Sequence, residues 1–554
     1  MAPKKEENLS KEKLLAEIER LKKELKKRKK YGLVWEEKTE DVVEMCKDKL
    51  PILKEVKNKE IMTDTEKPVN LLIEGDNYHA LSVLNYTHAK KIDLIYIDPP
   101  YNTGNKDFIF NDRYIDYEDS YRHSKWLSFM EKRLKLAKNL LKDTGVIFIS
   151  IDYNELAQLR LICDELFGEK NFIGILIWRK KEGGGQTDDY FVTEHEYILL
   201  YERTQSFKWI DETVPIEEAK FNKKDEEGKK FSAIKLAKWG SGARREDRPT
   251  MYFKIKAPDG KYVYPKAPDG SEGRWRVGKI KMNELIENNL IYWEKKNGVW
   301  IPYEKNHYSD ADVKKIKERS ILFELASTGD ATNELTGIFG IKDVFQNPKP
   351  TDLIKFLITH TSNKDATILD FMAGSGTTGH AVLKVNKEDG GNRQFILCTN
   401  NENNICTDVC YPRIEKVIEG YKNPKGDTVE RLGGNLKYFK TDFVDAEPTD
   451  KNKKKLTEQA TEMLCIREGT FEQVLDKRNF KIFKNNSHYT GIIFDQLEIS
   501  EFKKAIKDIK GKFSIYIFSL GDDTFDEEFE DIKQKVKLSP IPEAILRVYR
   551  RIFR

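Results

Sequence analysis

Short apolar runs, each stopped by a polar or glycine-rich corner, recur along two stretches of the chain and set its character. The run Ile92–Ile97 is β-branched and aromatic with no helical period, so it predicts a buried strand. Residues 71–73 predict another strand, ending at Glu74-Gly75-Asp76-Asn77, with a helix continuing through Leu81 and Leu84. Between about 120 and 142, Trp126, Met130, Leu134, Ala137 and Leu141 form the apolar stripe of a helix lying on a sheet. Residues 146–151 predict the next strand, 155–167 its helix, and 172–178 with 194–201 a strand pair. A second stretch repeats the texture: a helix over 351–361, a strand over 366–369, a glycine-rich turn and helix over 370–384, and a strand over 394–399. The class this predicts is α/β. Residues 102–119 are rich in Asn, Asp and Tyr, and read as a mobile lid rather than core.

Between these stretches, from about 204 to 340, strand and turn signals dominate. Two Ala-Pro-Asp-Gly turns, at 257–260 and 267–270, precede Gly273-Arg274-Trp275-Arg276. Aromatic and basic residues alternate there, with Arg244, Arg245, Arg248, Arg274 and Arg276 as candidate DNA contacts. An ordinary β-rich insertion with a solvated face explains the same pattern equally well. Residues 10–30 read as a short charged helix whose Leu14, Ile18, Leu21 and Leu25 follow a coiled-coil spacing, a contribution to a dimer at most. The last segment, 450–554, alternates helices and strands and carries no catalytic constellation.

At 554 residues the chain is too long for one core and predicts several domains. With 97 basic and 93 acidic residues the net charge is +4, so only local clustering speaks for nucleic acid. No run approaches the roughly 18 apolar residues of a membrane span, and the first residues, Met-Ala-Pro-Lys-Lys-Glu-Glu, lack an apolar signal core. Six scattered cysteines predict reduced thiols and a cytoplasmic location. Cys406 and Cys410 have no second ligand pair at zinc-site spacing, so no metal is expected.

Two corners carry candidate chemistry. Asp98-Pro99-Pro100-Tyr101 follows the strand Ile92–Ile97. The prolines stiffen an exit from the sheet at its carboxyl end, where open α/β sheets bind ligands. A planar group bearing an amino function suits it: Tyr101 stacks, while Asp98 and a proline carbonyl accept the amino hydrogens. The other corner is Asp370-Phe371-Met372-Ala373-Gly374-Ser375-Gly376-Thr377. Its strand–turn–helix form lets backbone approach a ligand at a helix N-terminus. It lacks the spacing of a dinucleotide fingerprint and the lysine of a phosphate loop, which favours a smaller ligand with a carboxylate and a sugar. Glu402, beyond the next strand, is placed to accept ribose hydroxyls.

Together these residues resemble the β class of DNA adenine-N6 methyltransferases. Asp98-Pro99-Pro100-Tyr101 is similar to their catalytic tetrapeptide and 370–376 to their S-adenosylmethionine loop, with the catalytic motif first and the basic segment between. Glu74-Gly75-Asp76-Asn77, the Tyr-Asn-Thr-Gly at 101–104, Gln346-Asn347-Pro348-Lys349-Pro350 and Asn401-Glu402-Asn403 resemble the modification subunit of type III restriction–modification systems. The resemblance implies a circularly permuted Rossmann-like methyltransferase sheet, in halves at 65–204 and 341–440. It also implies a β-rich target-recognition insertion at 205–340, a C-terminal α/β domain at 450–554 and a charged N-terminal segment at 1–60.

The activity it implies is methyl transfer from S-adenosyl-L-methionine to N6 of an adenine flipped out of double-stranded DNA. Asp98, Pro99, Pro100 and Tyr101 would be catalytic. Asp370, Phe371, Ala373, Gly374, Gly376, Thr377 and Glu402 would bind the cofactor. The implied partners are a second copy of the chain and a restriction helicase–nuclease subunit, unless the chain acts as an orphan. Two other readings compete: a catalytically silent DNA-binding specificity subunit, and a cytosine-N4 methyltransferase, which would ordinarily carry a Ser-led tetrapeptide.

Overall fold

A computed structural model describes residues 35–183, 190–215, 217–309 and 313–553. The helix expected at 10–30 lies outside the described residues. The chain divides into two compact units, residues 1–210 with 319–554, and residues 211–318.

The larger unit is built on one mixed sheet. In chain order its main strands are β1 (Lys49–Glu55), β2 (Val69–Glu74), β3 (Ile92–Ile97), β4 (Leu141–Ile151), β5 (Phe172–Arg179), β6 (His195–Glu202), β7 (Ile321–Leu322), β8 (Thr367–Asp370), β9 (Gln394–Thr399) and β10 (Asn435–Asp445). Their spatial order is β1-β10-β2-β9-β8-β3-β4-β6-β5-β7. The late strands β8 and β9 are thus inserted between the early strands β2 and β3, which is the permuted arrangement the resemblance implies. From β10 to β4 the neighbours run parallel, so their carboxyl ends lie along one edge. Parallel strands are covered on both faces, and their near-continuous apolar runs are what that burial requires.

One face is covered by helices α1 (Asn77–Thr87), α2 (Arg122–Leu140) and α3 (Leu156–Cys163). The α2 stripe is fully buried at Trp126, Met130, Leu134 and Ala137, while Leu141 already belongs to β4. Helices α4 (Thr328–Phe339), α5 (Thr351–Thr361), α6 (Thr377–Asp389) and α7 (Tyr411–Glu419) cover the other face.

The C-terminal segment forms a five-stranded sheet of its own, β11 (Glu472–Asp476), β12 (Phe480–Lys484), β13 (His488–Ile493), β14 (Lys512–Phe518) and β15 (Val536–Ile541). It does not stand apart. Helices α8 (Thr461–Glu468) and α10 (Glu543–Phe553) share the α1 core through Leu464, Ile545 and Tyr549, and the Tyr549 hydroxyl donates to the Pro51 carbonyl. Helix α9 (Ile499–Ile506) belongs to the segment's own small core. No helix among the described residues is long and apolar enough to cross a membrane.

Residues 211–318 form a separate β-rich unit. A four-stranded antiparallel sheet (Lys223–Lys224, Lys230–Lys235, Val299–His307, Ile291–Lys296) accompanies the helix Lys279–Glu287. Fully buried Trp275 packs with Leu236, Met282 and Leu285, and its indole N–H donates to the Phe253 carbonyl at 2.8 Å. In both Pro-Asp-Gly turns the glycine has a left-handed φ, +84° at Gly260 and +85° at Gly270. The helix α4 lies in the larger unit, so the smaller one is narrower than the 205–340 segment marked out by sequence.

The loop at 102–119 differs from the lid expectation. Phe108, Phe110 and Ile115 are buried in the core beneath α2, and Phe108 meets Phe129 edge-on with ring centroids 5.3 Å apart. Its polar composition hid three apolar anchors at spacings no periodic template detects. We predict that Phe108→Ala costs about 3–5 kcal/mol of local stability. Trypsin should then cut at Lys106 or Arg113 far faster than in the wild type; equal cleavage rates would show that the loop is not held by this ring.

Candidate active site

β3 ends at Ile97, and Pro99 and Pro100 force the chain out of the sheet beside the end of β8. The corner is braced by Trp126 of α2, whose indole N–H donates to the Pro100 carbonyl at 2.7 Å. Among the described residues no donor reaches the Pro99 carbonyl, which stays available. The Tyr101 hydroxyl lies 2.9 Å from both Asp98 Oδ1 and Glu196 Oε2. Its single proton can serve one carboxylate at a time. Lys349 completes the cluster, with Nζ 2.8 Å from Asp98 Oδ2 and 3.3 Å from Glu196 Oε2. Lys180 Nζ lies 3.1 Å from Glu196 Oε1.

Burial raises the Asp98 carboxyl; Lys349 pulls it back down, while the like charge of Glu196 adds to the rise. Glu196 is held below the usual carboxylate range, because Lys349 and then Lys180 outweigh its burial. Lys349 is raised for the converse reason: Asp98 and Glu196 outweigh the burial of its ammonium. Sequence reasoning quoted Lys349 within the 346–350 segment but gave it no role, and it overlooked Glu196 and the role of Trp126. Glu196 did leave a signal, a carboxylate set directly against the apolar run 197–201, though Glu194 two residues before it shares that feature.

The glycine loop leaves β8 on the neighbouring strand end. Asp370 is buried and turned into the loop: Oδ1 accepts the Met372 N–H at 3.0 Å and Oδ2 the Thr378 hydroxyl at 2.5 Å. Burial pushes its carboxyl up to about 7, against those two hydrogen bonds and with a smaller push from Asp98. Gly374 and Gly376 have φ of +51° and +81°, where a side chain is strained. A Cβ on Gly376 would also stand 3.1 Å from Cys410 Sγ. Glycine is needed there by the fold itself, not only by a ligand. The Thr377 hydroxyl donates to the Lys349 carbonyl at 3.2 Å and accepts from Arg413 Nη1 at 2.8 Å. Fully buried Arg413 also reaches Ser375 Oγ and, at 3.0 Å, Glu334 of α4.

The structure limits how several of the expected cofactor residues could meet a ligand. Phe371 is fully buried in the core and Ala373 nearly so, and the side chains of Asp370 and Thr377 are spent inside the protein. These positions can offer a ligand backbone groups only. In the loop Met372 and Gly374 keep partial exposure, and the first turn of α6 behind them is buried, with N–H groups that lack intrahelical partners. Glu402 is exposed beyond β9, turned out where Asn401 Oδ1 accepts the Cys406 and Thr407 N–H groups.

In the smaller unit the five arginines divide. Arg274 is a structural residue, its guanidinium bonded to the Gly242 and Trp275 carbonyls, and Arg276 pairs with Glu304. Arg244 and Arg245 are exposed in ion pairs with Asp269 and Glu272, and Arg248 is exposed. Exposed pairs of this kind are weak and readily exchanged for phosphate.

Behind Tyr101, Asn102 is fully buried and donates to Glu155 Oε1 at 2.5 Å, and His123 Nδ1 lies 2.7 Å from the same oxygen. Burial pushes the Glu155 carboxyl up to about 8, opposed by Asn102 and Arg122. The raised value means that the folded chain holds a proton the unfolded chain has lost, so stability falls as pH rises from the ordinary glutamate range to about 8. Glu155→Gln copies the protonated form. It should stabilise the protein by more than about 1 kcal/mol at about pH 9, with a smaller gain at about pH 5. Thermal unfolding at the two pH values checks this, and a gain independent of pH would refute it.

Comparison with known proteins agrees with this geometry. The model of the N6/N4 DNA methylase family matches residues 92–409, from the start of β3 past Glu402. The Mod subunit of the type III restriction–modification enzyme EcoPI, from Escherichia phage P1, is 36% identical over 394 residues, 63% of this chain and 60% of that protein. The StyLTI Mod subunit of Salmonella typhimurium is 35% identical over 388 residues, 64% of this chain and 57% of that one. The type II methyltransferase M.KpnI of Klebsiella pneumoniae is 36% identical over 406 residues, 71% of this chain and 92% of the enzyme. The chain thus spans somewhat under two thirds of the type III relatives and nearly all of the type II one. With a family match over more than half its length, and the tetrapeptide and glycine loop on adjacent strand ends inside that match, the chain belongs to the N6/N4 DNA methylase family.

Proposed function

We propose that the protein transfers a methyl group from S-adenosylmethionine to N6 of an adenine flipped out of double-stranded DNA. The observation that carries this reading is the pairing of β3 with β8, which puts Asp98 and the glycine loop on neighbouring strand ends. The loop suits the cofactor: it brings backbone at two left-handed glycines to a helix N-terminus, with the carboxylate of Glu402 exposed beyond the next strand. When bound, the cofactor supplies a methyl group on a positively charged sulfonium. Tyr101 offers the base a ring to stack on, and the Pro99 carbonyl accepts one amino hydrogen. Asp98 accepts the other, steadies the positive charge that grows on the nitrogen as it gains a methyl, and takes up the surplus proton. The Asp at the head of the tetrapeptide favours adenine over cytosine.

The unit at 211–318 is read as the target-recognition domain, with Arg244, Arg245 and Arg248 meeting phosphate or base edges. The likeness to type III Mod subunits supports reading the chain as the partner of a restriction subunit, or as an orphan relative, and we read it further as a cytoplasmic homodimer.

Labelled S-adenosylmethionine with unmethylated duplex DNA of mixed sequence tests the reading, followed by digestion to nucleosides. N6-methyladenine is expected; N4-methylcytosine, or tight DNA binding without transfer, would overturn it. Asp98→Ala should slow transfer by about a hundredfold or more while leaving cofactor affinity within about twofold. Cofactor loss comparable to that of Gly376→Trp would refute this division of labour.

A further inference from the structure

Lys349 stands where the proposed reaction needs room. Its ammonium is 2.8 Å from Asp98 Oδ2, an oxygen suited to an amino hydrogen of the target base. A charged N–H donor binds a carboxylate about twice as strongly as a neutral one, so a base amine cannot displace it unaided. An ammonium held on Asp98 also cancels the negative charge that the amine nitrogen needs as it turns positive. Yet a second acceptor is already in reach. Glu196 Oε2 is 3.3 Å from the same Nζ, and Tyr101 Oη lies 2.9 Å from both carboxylates. Lys349 and Glu196 side chains are each only 9% exposed, so neither can be left without a partner cheaply. The main chain of Lys349 is fixed meanwhile: prolines flank it, and its carbonyl accepts from Thr377 at the start of α6. Only the side chain is free to change partners.

We propose that Lys349 is a positioning residue that latches the target-base site, its ammonium holding Asp98 until the base enters and then shifting to Glu196. The inference rests on the amino-methyl transfer proposed above and adds to it the residue that exposes Asp98 at the right moment. Standing between the two carboxylates, the ammonium opposes their sharing of a proton, the usual fate of like charges held this close. The other titratable or charged groups facing the cluster are Tyr96, Asp370, Asp152 and Lys180. Of these, Lys180 holds Glu196 charged and ready to receive the ammonium.

The test is the pH profile of single-turnover transfer by the full chain, with tritiated S-adenosylmethionine and unmethylated mixed-sequence duplex DNA. Lys349→Met should move the acid limb up by about one pH unit or more, as Asp98 loses its cation beside Glu196. Glu196→Gln leaves the ammonium no place to go, and should lower the plateau about tenfold without raising the limb. The double variant should transfer faster than Glu196→Gln alone, because no ammonium is left to block Asp98. A purely structural Lys349 would lower the plateau in each variant, leave the limb in place and make the double variant the worst of the three; that pattern overturns the latch. Should Lys349→Met fail to fold, Lys349→Gln takes its place with the same two readouts, the raised limb and the faster double variant, and a wild-type plateau in Glu196→Gln by itself overturns the latch. If the wild type transfers no methyl group, the functional reading itself falls and the latch with it.

Discussion

The pairing of β8 with β3 is the constraint on which the rest depends. Ile368 and Leu369 lie in parallel register with Leu94 and Ile95, although more than 270 residues separate the strands in the chain. That register sets Asp98 and Asp370 on one edge of the sheet. It also obliges the intervening chain to leave and return, and residues 211–318 form their own unit within that excursion. Closing so long a loop costs little more than closing a moderate one, since the entropy grows only with the logarithm of length. A whole separate unit can therefore sit between the strand that carries the tetrapeptide and the strand that carries the glycine loop.

Around that pairing the protein spends buried polar groups in two connected networks. One is the cluster of Asp98, Tyr101, Glu196 and Lys349; the other joins Arg413, Thr377, Ser375 and Glu334 beneath the glycine loop. They meet at Lys349, whose side chain belongs to the first and whose carbonyl belongs to the second. Desolvated charges of this sort bring little net stability, but they fix geometry when every member is satisfied. A site that must bring two reactants into line within a fraction of an ångström has use for that rigidity. Anchoring the 102–119 loop by Phe108, Phe110 and Ile115 serves the same end, because the loop follows directly on Tyr101.

The strands and helices around the site were legible because each is a local pattern. The run at 92–97, the stripe on α2 and the strand–turn–helix at 367–377 bury the faces their periods predicted. The proline corner was legible because proline acts on its own backbone whatever surrounds it. At Phe371 and Thr377 the motif names positions, not the directions of side chains, and here they point into the protein. Arg274 looked like a phosphate contact because composition cannot separate a guanidinium in solvent from one holding two carbonyls.

By itself the sequence determined the α/β class, the two chemical corners and the family resemblance, all of which depend on residues near one another in the chain. Tertiary structure alone decided who stands beside Asp98. Lys349 and Glu196 come from segments about 250 and 100 residues away, and only the sheet order brings them within 3.3 Å of each other. Electrostatic partners are chosen by distance in space, which no local pattern encodes.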